Sequence, residues 1–412
     1  MRILHISDLH LGKTIYGMSM LDNGDQPYWC RSFLKLCDEV KPDAVVIAGD
    51  VYDRGSPSGA AVELLDSFLT GLAERKIPVM MTAGNHDSGE RVSYGHAFLQ
   101  KEGIHTAGIL RKDLEHVTLQ DAYGDVVFWL MPYVFPSEVS LLLDDPSIHD
   151  TDTAVRKLIA AQNIDPAVRN VMVAHQNVTA GTGEQRRGGS ETMVGGVGEV
   201  RADAFAMFDY TALGHIHAAY PVGANHIRYC GSPLCYHFDE TRQAAKGPLL
   251  VTLGPKGTEP KVELKEIQPL HPMRIIEGSF DDILETERTN GRKDEYVSVT
   301  ITDRHMSDET AAAIQAVFEA KDSYVLTLQS GYERTTAVSG AADTLAEKSL
   351  AELFHQFYTE RHGGEEPDET GEDIMRYAQE LVLKSDHHEK NDQKEVEEML
   401  KYLSRKEQAC GR

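Results

Sequence analysis

The sequence predicts a layered α/β domain, a small α+β domain behind it and a helical tail, with boundaries at 1–271, 272–340 and 341–412. Three observations carry this. Short apolar runs alternate with helical periodicity over about the first 250 residues. Several runs end directly in Asp, Asn or His, as strands do when their carboxyl ends open into a shared crevice. Past Pro269 and Pro272 a fresh set of strand-like and helix-like segments begins.

Taken in order, RILHIS, AVVIAG, VMMTAG, VVFWLMP and NVMVAH are near-continuous apolar runs, the pattern of strands buried on both faces. Between the second and third, GAAVELLDSFLTGLAERKI sets Val62, Leu65, Phe68, Leu69 and Leu72 at helical spacing. From Ala202 to Val251 the texture turns to Gly, Tyr and short strands. In the second domain MRIIEGSF, YVSVTITD and SYVLTLQ read as strands. SDETAAAIQAVFEA reads as a helix, with Ser307 as N-cap and acids in the first turn. The tail is polar. Its segment SLAELFHQFYTE puts Leu350, Phe354 and Phe357 on one face, and EDIMRYAQELVL and EVEEMLKYLSRK carry narrower stripes. Helices this short are marginal alone in water, so those stripes need a surface to dock on, in this chain or a partner.

At 412 residues and 41% hydrophobic, the chain can build two or three domains with a substantial interior. Its cysteines (Cys30, Cys37, Cys230, Cys235 and Cys410) are odd in number and form no CxxC pair, which argues against a disulfide framework or a zinc knuckle. With no signal-like segment and no apolar run of membrane-spanning length, a cytoplasmic protein without a membrane is the expectation. Lys plus Arg number 41 against 65 Asp plus Glu, a net charge of −24, which is a poor starting point for binding nucleic acid.

The chemistry lies at the ends of the runs. SDLH supplies Asp8 and His10, AGDVYD supplies Asp50 and Asp53, and AGNHD supplies Asn85, His86 and Asp87. VAHQN adds His175, and ALGHIH adds His215 and His217. Singly these are weak: a DxH pair or a GD is a common turn, and an HxH is often structural. Five such motifs in order after apolar strands are another matter. Carboxylate, amide and imidazole donors without thiolates suit intermediate divalent ions. Asp8, His10, Asp50, Asn85, His175, His215 and His217 are seven, too many for one catalytic ion and about right for two bridged by a carboxylate. Such a pair, about 3.5–4 Å apart, stabilises the attacking and leaving oxygens of an in-line phosphoryl displacement.

This ordered set resembles the calcineurin-like metallophosphoesterase superfamily. The resemblance implies a β-sandwich flanked by helices. It assigns Asp8, His10 and His217 to one metal, Asn85, His175 and His215 to the other, Asp50 as the bridge and His86 as the catalytic histidine. Asp53 and Asp87 would orient the histidines. GDVYDRGSPSGAAVELL, DYTALGHIHAAYPV, IRYCGSPLCYHFDE and HPMRIIEGSF are similar, more narrowly, to the SbcD family, the nuclease subunits of bacterial SbcCD complexes. That similarity implies a Mn²⁺-dependent nuclease, 3′→5′ exonuclease on duplex ends and endonuclease on hairpins or single strands, in DNA repair, replication and recombination. It further implies a DNA-facing cap at 272–340 and a tail docking an SbcC-type SMC-like ATPase. The nuclease subunits would pair within a heterotetramer associated with the nucleoid. Two bound cations, with Lys13, Arg54, Arg91, Arg186, Arg187 and Arg228 as candidate DNA contacts, would supply local positive potential that the total charge hides. Binding by the chain alone should then be weak and salt-sensitive. The alternatives are a phosphoesterase for a small phosphoester or phosphoprotein, and an inactive scaffold subunit.

Overall fold

The computed structural model describes residues 1–181, 198–242 and 245–331. Four strands, Arg2–Ile6, Ala44–Ala48, Val79–Thr82 and Ile104–Ala107, lie parallel and side by side. Leu249–Thr252 and then Lys261–Leu264 extend that sheet antiparallel beyond Arg2–Ile6. A second six-stranded sheet runs in the order Tyr220–Val222, Ala224–Tyr229, Tyr210–Gly214, Arg169–His175, Gly124–Met131, Glu115–Asp121. Its four middle strands are parallel.

Side chains alternate faces along a strand, and that alternation builds the layers. Ile3, Val46 and Met80 point into the gap between the sheets and meet Phe128, Leu130, Val171, Val173 and Ala212. Leu4, Ile6, Val45, Ile47 and Met81 point the other way, where the helices Asp25–Val40 and Gly59–Glu74 cover them with Trp29, Phe33 and Phe68. On the far side, Met172, Ala174 and Leu213 lie under Ala154, Val155 and Leu158 of the helix Thr151–Ala160. The fold is therefore a β-sandwich flanked by helices. Both faces of each central strand are buried, which is why the strands read as unbroken apolar runs. Each fully buried Leu, Ile or Phe contributes roughly 1.5–3 kcal/mol.

The helix Gly59–Glu74 starts at Ser58, whose side chain accepts from Ala61 N at 3.2 Å, a cap worth about 1 kcal/mol. Leu65, Phe68, Leu69 and Leu72 are buried as expected, but Val62 is 42% exposed. It stands about 60° round the helix from Leu65, and Ala61 takes the buried place instead. The helix Asp25–Val40 has no strong sequence signature. It buries Trp29, Cys30, Phe33 and Cys37 in a narrow stripe, with the charged Arg31 and Lys35 between.

After Pro272, three parallel strands, Met273–Gly278, Tyr296–Ile301 and Tyr324–Ser330, stand in chain order. The helices Phe280–Thr289 and Asp308–Glu319 connect them and pack Ile283, Leu284, Ile314 and Phe318 on Val297, Val299 and Ile301. Ser307 caps the second helix as its sequence suggested, accepting from Thr310 N at 3.1 Å. The expected tail helices, and with them the expected docking segment, lie outside the described residues. No described helix is long and apolar enough to cross a membrane.

Candidate metal centre

The parallel strands of both sheets end at one rim, and the chain leaves them sharply. Asp8, His10, Asp50 and His215 adopt left-handed φ values of 53°, 43°, 49° and 105°. Such non-glycine conformations cost on the order of 1–3 kcal/mol each and persist only where the surroundings enforce them. Here the turns are fastened to one another. Asp8 N donates to Gly49 O, His10 N to Asp50 O and Leu11 N to Val51 O, each at 3.0 Å. His215 N donates to Asp8 Oδ1 at 3.1 Å, and His86 N to Asp50 Oδ1 at 2.9 Å. Two glycines permit the closeness. A methyl group at Gly84 would lie 2.1 Å from Asp50 Oδ1, and one at Gly214 would lie 1.9 Å from Ala48 O.

The seven expected donors converge. Donor atoms of Asp8, His10 and His217 lie within 4.8 Å of one another, as do those of Asp8, Asp50 and His175. His10 Nε2 is 3.3 Å from His217 Nε2 and 3.5 Å from Asp50 Oδ2. Across the bridge, Asp50 Oδ2 is 3.3 Å from His175 Nε2, and Asn85 Oδ1 is 3.2 Å from His175 Nε2 and 3.1 Å from His215 Nδ1. Asp50 thus stands between two groups of donors. His86 sits beside it, its ring edge-on to His10 at 4.8 Å.

The chemistry of these donors fits divalent cations. His175 Nδ1 donates to Ala48 O at 2.8 Å, so in the neutral ring the Nε2 lone pair faces Asn85 Oδ1 and Asp50 Oδ2, acceptors both. Acceptors so placed repel unless a cation or a proton lies among them. Burial would lower His175, but the charge and hydrogen bond of Asp50, with Asp8, raise it to about 9, drawing a proton where a cation would serve. Burial, with the charge of His175, takes His215 down to about 3, and burial holds His10 well below the ordinary imidazole value. Burial works against ionised Asp50 too, yet His175 and His86 hold it well below the usual carboxylate range. His10 Nδ1 is buried without a hydrogen-bond partner. The nearby Cys230 thiol is pushed up by burial, so thiolate ligation does not compete.

Residues 1–219 match the calcineurin-like phosphoesterase family, and residues 269–362 match the type 5 capsule protein repressor C-terminal domain. The chain is 33% identical over 310 residues to the SbcD subunit of the nuclease SbcCD from Staphylococcus saprophyticus, covering 74% of this chain and 79% of that one. This chain belongs to the calcineurin-like phosphoesterase family. Within it, the chain is a member of the SbcD family, so its class is that of metal-dependent phosphodiester nucleases. Among solved structures, TT1561 of Thermus thermophilus overlaps at a TM-score of 0.35 and 12% identity, over 56% of this chain and 89% of that one, too loosely to carry weight.

Of the two acids expected to orient histidines, Asp87 acts differently, while Asp53 does lie beside two of them. The carboxylate of Asp87 accepts from Val51 N (3.0 Å), Tyr52 N (2.9 Å) and Gly84 N (2.9 Å), so it holds the Asp50 turn and no imidazole. Burial and the charge of Asp50 raise it to about 6. Asp53 bonds His86 Nδ1 through its backbone oxygen at 3.0 Å, while its carboxylate takes Lys13 Nζ at 2.7 Å and lies 3.6 Å from His10 Nδ1. Lys13 is therefore at the rim, as is exposed Arg54, 3.8 Å from Asp53. Arg91 is exposed on the short helix Gly89–Val92 just after the Asn85–Asp87 turn. Arg228 lies on the strand Ala224–Tyr229, bonded to Asn225 Oδ1 at 2.6 Å, and Arg186 and Arg187 fall outside the described residues.

Sequence reasoning missed Glu240. It is fully buried, 3.2 Å from His217 Nδ1 and 2.7 Å from Lys246 Nζ. Burial opposes its charge, but Lys246 and His217 bring it down to about 2. Its one signal was its place as the second of two acids, Asp239 and Glu240, closing the stretch CGSPLCYHFDE soon after the HxH. Gln26 and Tyr236 were missed as well. Gln26 Nε2 donates to His10 O at 2.7 Å, and Tyr236 OH donates to Leu9 O at 2.7 Å.

Proposed function

We propose that the chain is a Mn²⁺-dependent DNA nuclease, a 3′→5′ exonuclease on duplex ends and an endonuclease on hairpin or single-stranded DNA. The observation that carries the reading is the convergence of six oxygen and nitrogen donors on the two sides of a seventh, Asp50. In this reading Asp8, His10 and His217 would hold one ion, Asn85, His175 and His215 the other, and Asp50 would serve both. When bound, such a pair would supply Lewis-acid chemistry, lowering the pKa of water and offsetting charge on the phosphate.

The protein's own groups supply the rest. A carbonyl oxygen only accepts, so His86 Nδ1 carries a hydrogen toward Asp53 O, and the proton that moves is the one at Nε2. A protonated His86 Nε2 gives that proton to the departing oxygen. Glu240 keeps the His217 ring turned with Nε2 inward. Asp87 holds the turn that presents Asp50.

Residues 1–271 form the nuclease domain in this proposal, 272–340 the cap that faces DNA, and 341–412 the segment that docks an SbcC-type SMC-like ATPase. A second copy would pair with the first, and exposed Tyr94 and Phe98 offer the apolar surface that pairing covers. Lys13 and Arg54, both beside Asp53, and Arg91, four residues past the Asn85–Asp87 turn, support a role in meeting phosphates; Arg186, Arg187 and Arg228 remain in the proposal on sequence grounds.

The test is an assay of end-labelled duplex, hairpin DNA and p-nitrophenyl mono- and diesters with Mn²⁺, with and without the ATPase. Cleavage of DNA and of the diester is expected. Monoester hydrolysis without DNA cleavage would favour a small phosphoester or phosphoprotein as substrate. Silence toward every substrate with ATPase and ATP present would indicate a scaffold.

A further inference from the structure

The unit after Pro272 reaches the metal-ligand loop by a short chain of buried contacts. Tyr296, the first residue of that unit's central strand, is fully buried, and it belongs to the buried cluster beneath the helices of the first sheet that also holds Trp29 and Phe33. Its hydroxyl donates to Asp25 Oδ2 at 2.7 Å and accepts from Asn23 Nδ2. His271, on the linker between the units, places Nδ1 2.9 Å from Asp25 Oδ1. Asp25 is itself fully buried at the start of the helix Asp25–Val40.

The next residue is Gln26, and its amide clamps the turn that carries His10. Nε2 donates to His10 O at 2.7 Å and to Leu9 O at 3.2 Å, while Oε1 accepts from Gly12 N at 2.9 Å. That turn holds His10 at a φ of 43°, a conformation needing outside support. Asp25 and Gln26 share one rigid helical turn, so a shift of the first displaces the second.

We propose that Tyr296, Asp25 and Gln26 are positioning residues that couple the seating of the 272–331 unit to the placement of His10, and so to the ion that His10 helps hold. The proposal rests on reading His10 as a metal ligand. A partner or DNA that reseats this unit would thereby tune one ion and leave the one at His175, His215 and Asn85 unchanged.

Tyr296→Phe removes the hydroxyl and keeps the ring in the core. Mn²⁺ titration of the full chain, followed by the resonance of unbound Mn²⁺, should show one of two ions weakened about 3- to 30-fold. In the metal-free chain, hydrogen exchange should quicken at the Gly12 amide. Gln26→Leu should do both more strongly, and the double variant should match Gln26→Leu alone, since coupled residues are not additive. Unchanged binding and exchange in Tyr296→Phe, or effects that sum in the double variant, would overturn the relay. So would faster exchange spread through the strands at 273–278 and 296–301, the mark of a merely structural hydroxyl. Fewer than two ions on the unaltered chain would overturn the metal reading itself, and the relay with it.

Discussion

Two regions of the molecule bury acids, and they treat them in opposite ways. In the small unit, Glu287 and Glu295 meet Arg274 at 2.8 Å and 2.7 Å, and Lys321 adds a second cation 3.2 Å from Glu287. At the rim of the sandwich, Asp8 and Asp50 are just as buried, yet among the described residues no lysine or arginine pairs with either. Imidazoles face them, on a backbone forced into left-handed turns. Buried acids with matched cations complete a structure. Buried acids facing other electron-pair donors describe a place for a cation not supplied by the chain, and the strain around them is the cost of holding it open.

The sharpest way to break this contrast is Asp50→Ala. Without its bridge the rim should lose at least one of two Mn²⁺ ions, and DNA cleavage should fall by about 10³-fold or more. Metal content by elemental analysis and turnover on labelled duplex measure the two effects. Two ions retained with normal turnover would make Asp50 an ordinary buried acid.

His86→Ala separates proton transfer from metal holding. Turnover should drop about 10²- to 10⁴-fold while both ions stay bound. Loss of an ion along with turnover would put His86 among the ligands, an outcome the geometry makes worth measuring because its ring lies within 4.8 Å of donor atoms on His10 and Asp50.

Glu240→Gln probes the buried acid at the rim that, among the described residues, does have a lysine. The amide cannot carry the charge that Lys246 and His217 share, so the affinity of the ion at His217 should weaken about 10- to 100-fold. Isothermal titration with Mn²⁺ would show one weakened site beside an unchanged one. Equal affinities would mean that Glu240 belongs with the structural ion pairs, like Glu287.

These residues also show what a sequence discloses. The central strands and the donors at their ends were legible because both are local: an apolar run buried on two faces looks the same wherever it occurs, and a ligand placed at its end needs no knowledge of the neighbours. Glu240 and Gln26 were not legible. Glu240 matters only because Phe238–Arg242 lies beside His217, and Gln26 only because its helix begins under the His10 turn. Asp87 misled for the same reason: an acid next to a histidine suggests an orienting bond, but three backbone amides across the turn claimed it first. Val62 failed on geometry, since a stripe's edge residue is exposed or buried according to what packs there. The tyrosine that opens YVSVTITD read as part of a strand, and nothing local marks it as a plug in another unit's core.

The smallest expected effect sharpens the other side of the contrast. Burial works against the Glu287 charge, but Arg274, Asn290 and Lys321 outweigh it and bring this carboxyl down to about 2, from an ordinary value of 4.5. A carboxyl lowered on folding contributes stability that is whole above its unfolded value and is lost as pH falls toward the folded one. Glu287→Gln should therefore lower the thermal midpoint at neutral pH, by about 2–4 °C for each kcal/mol removed. That gap should close between about pH 4.5 and 2, as the native acid is protonated and comes to resemble the amide. Calorimetric scans of the two chains across that range measure it. A gap that persists undiminished at pH 2 would show that the carboxylate's charge is not what Arg274 and Lys321 hold, and the distinction between paired and unpaired buried acids would lose its structural half.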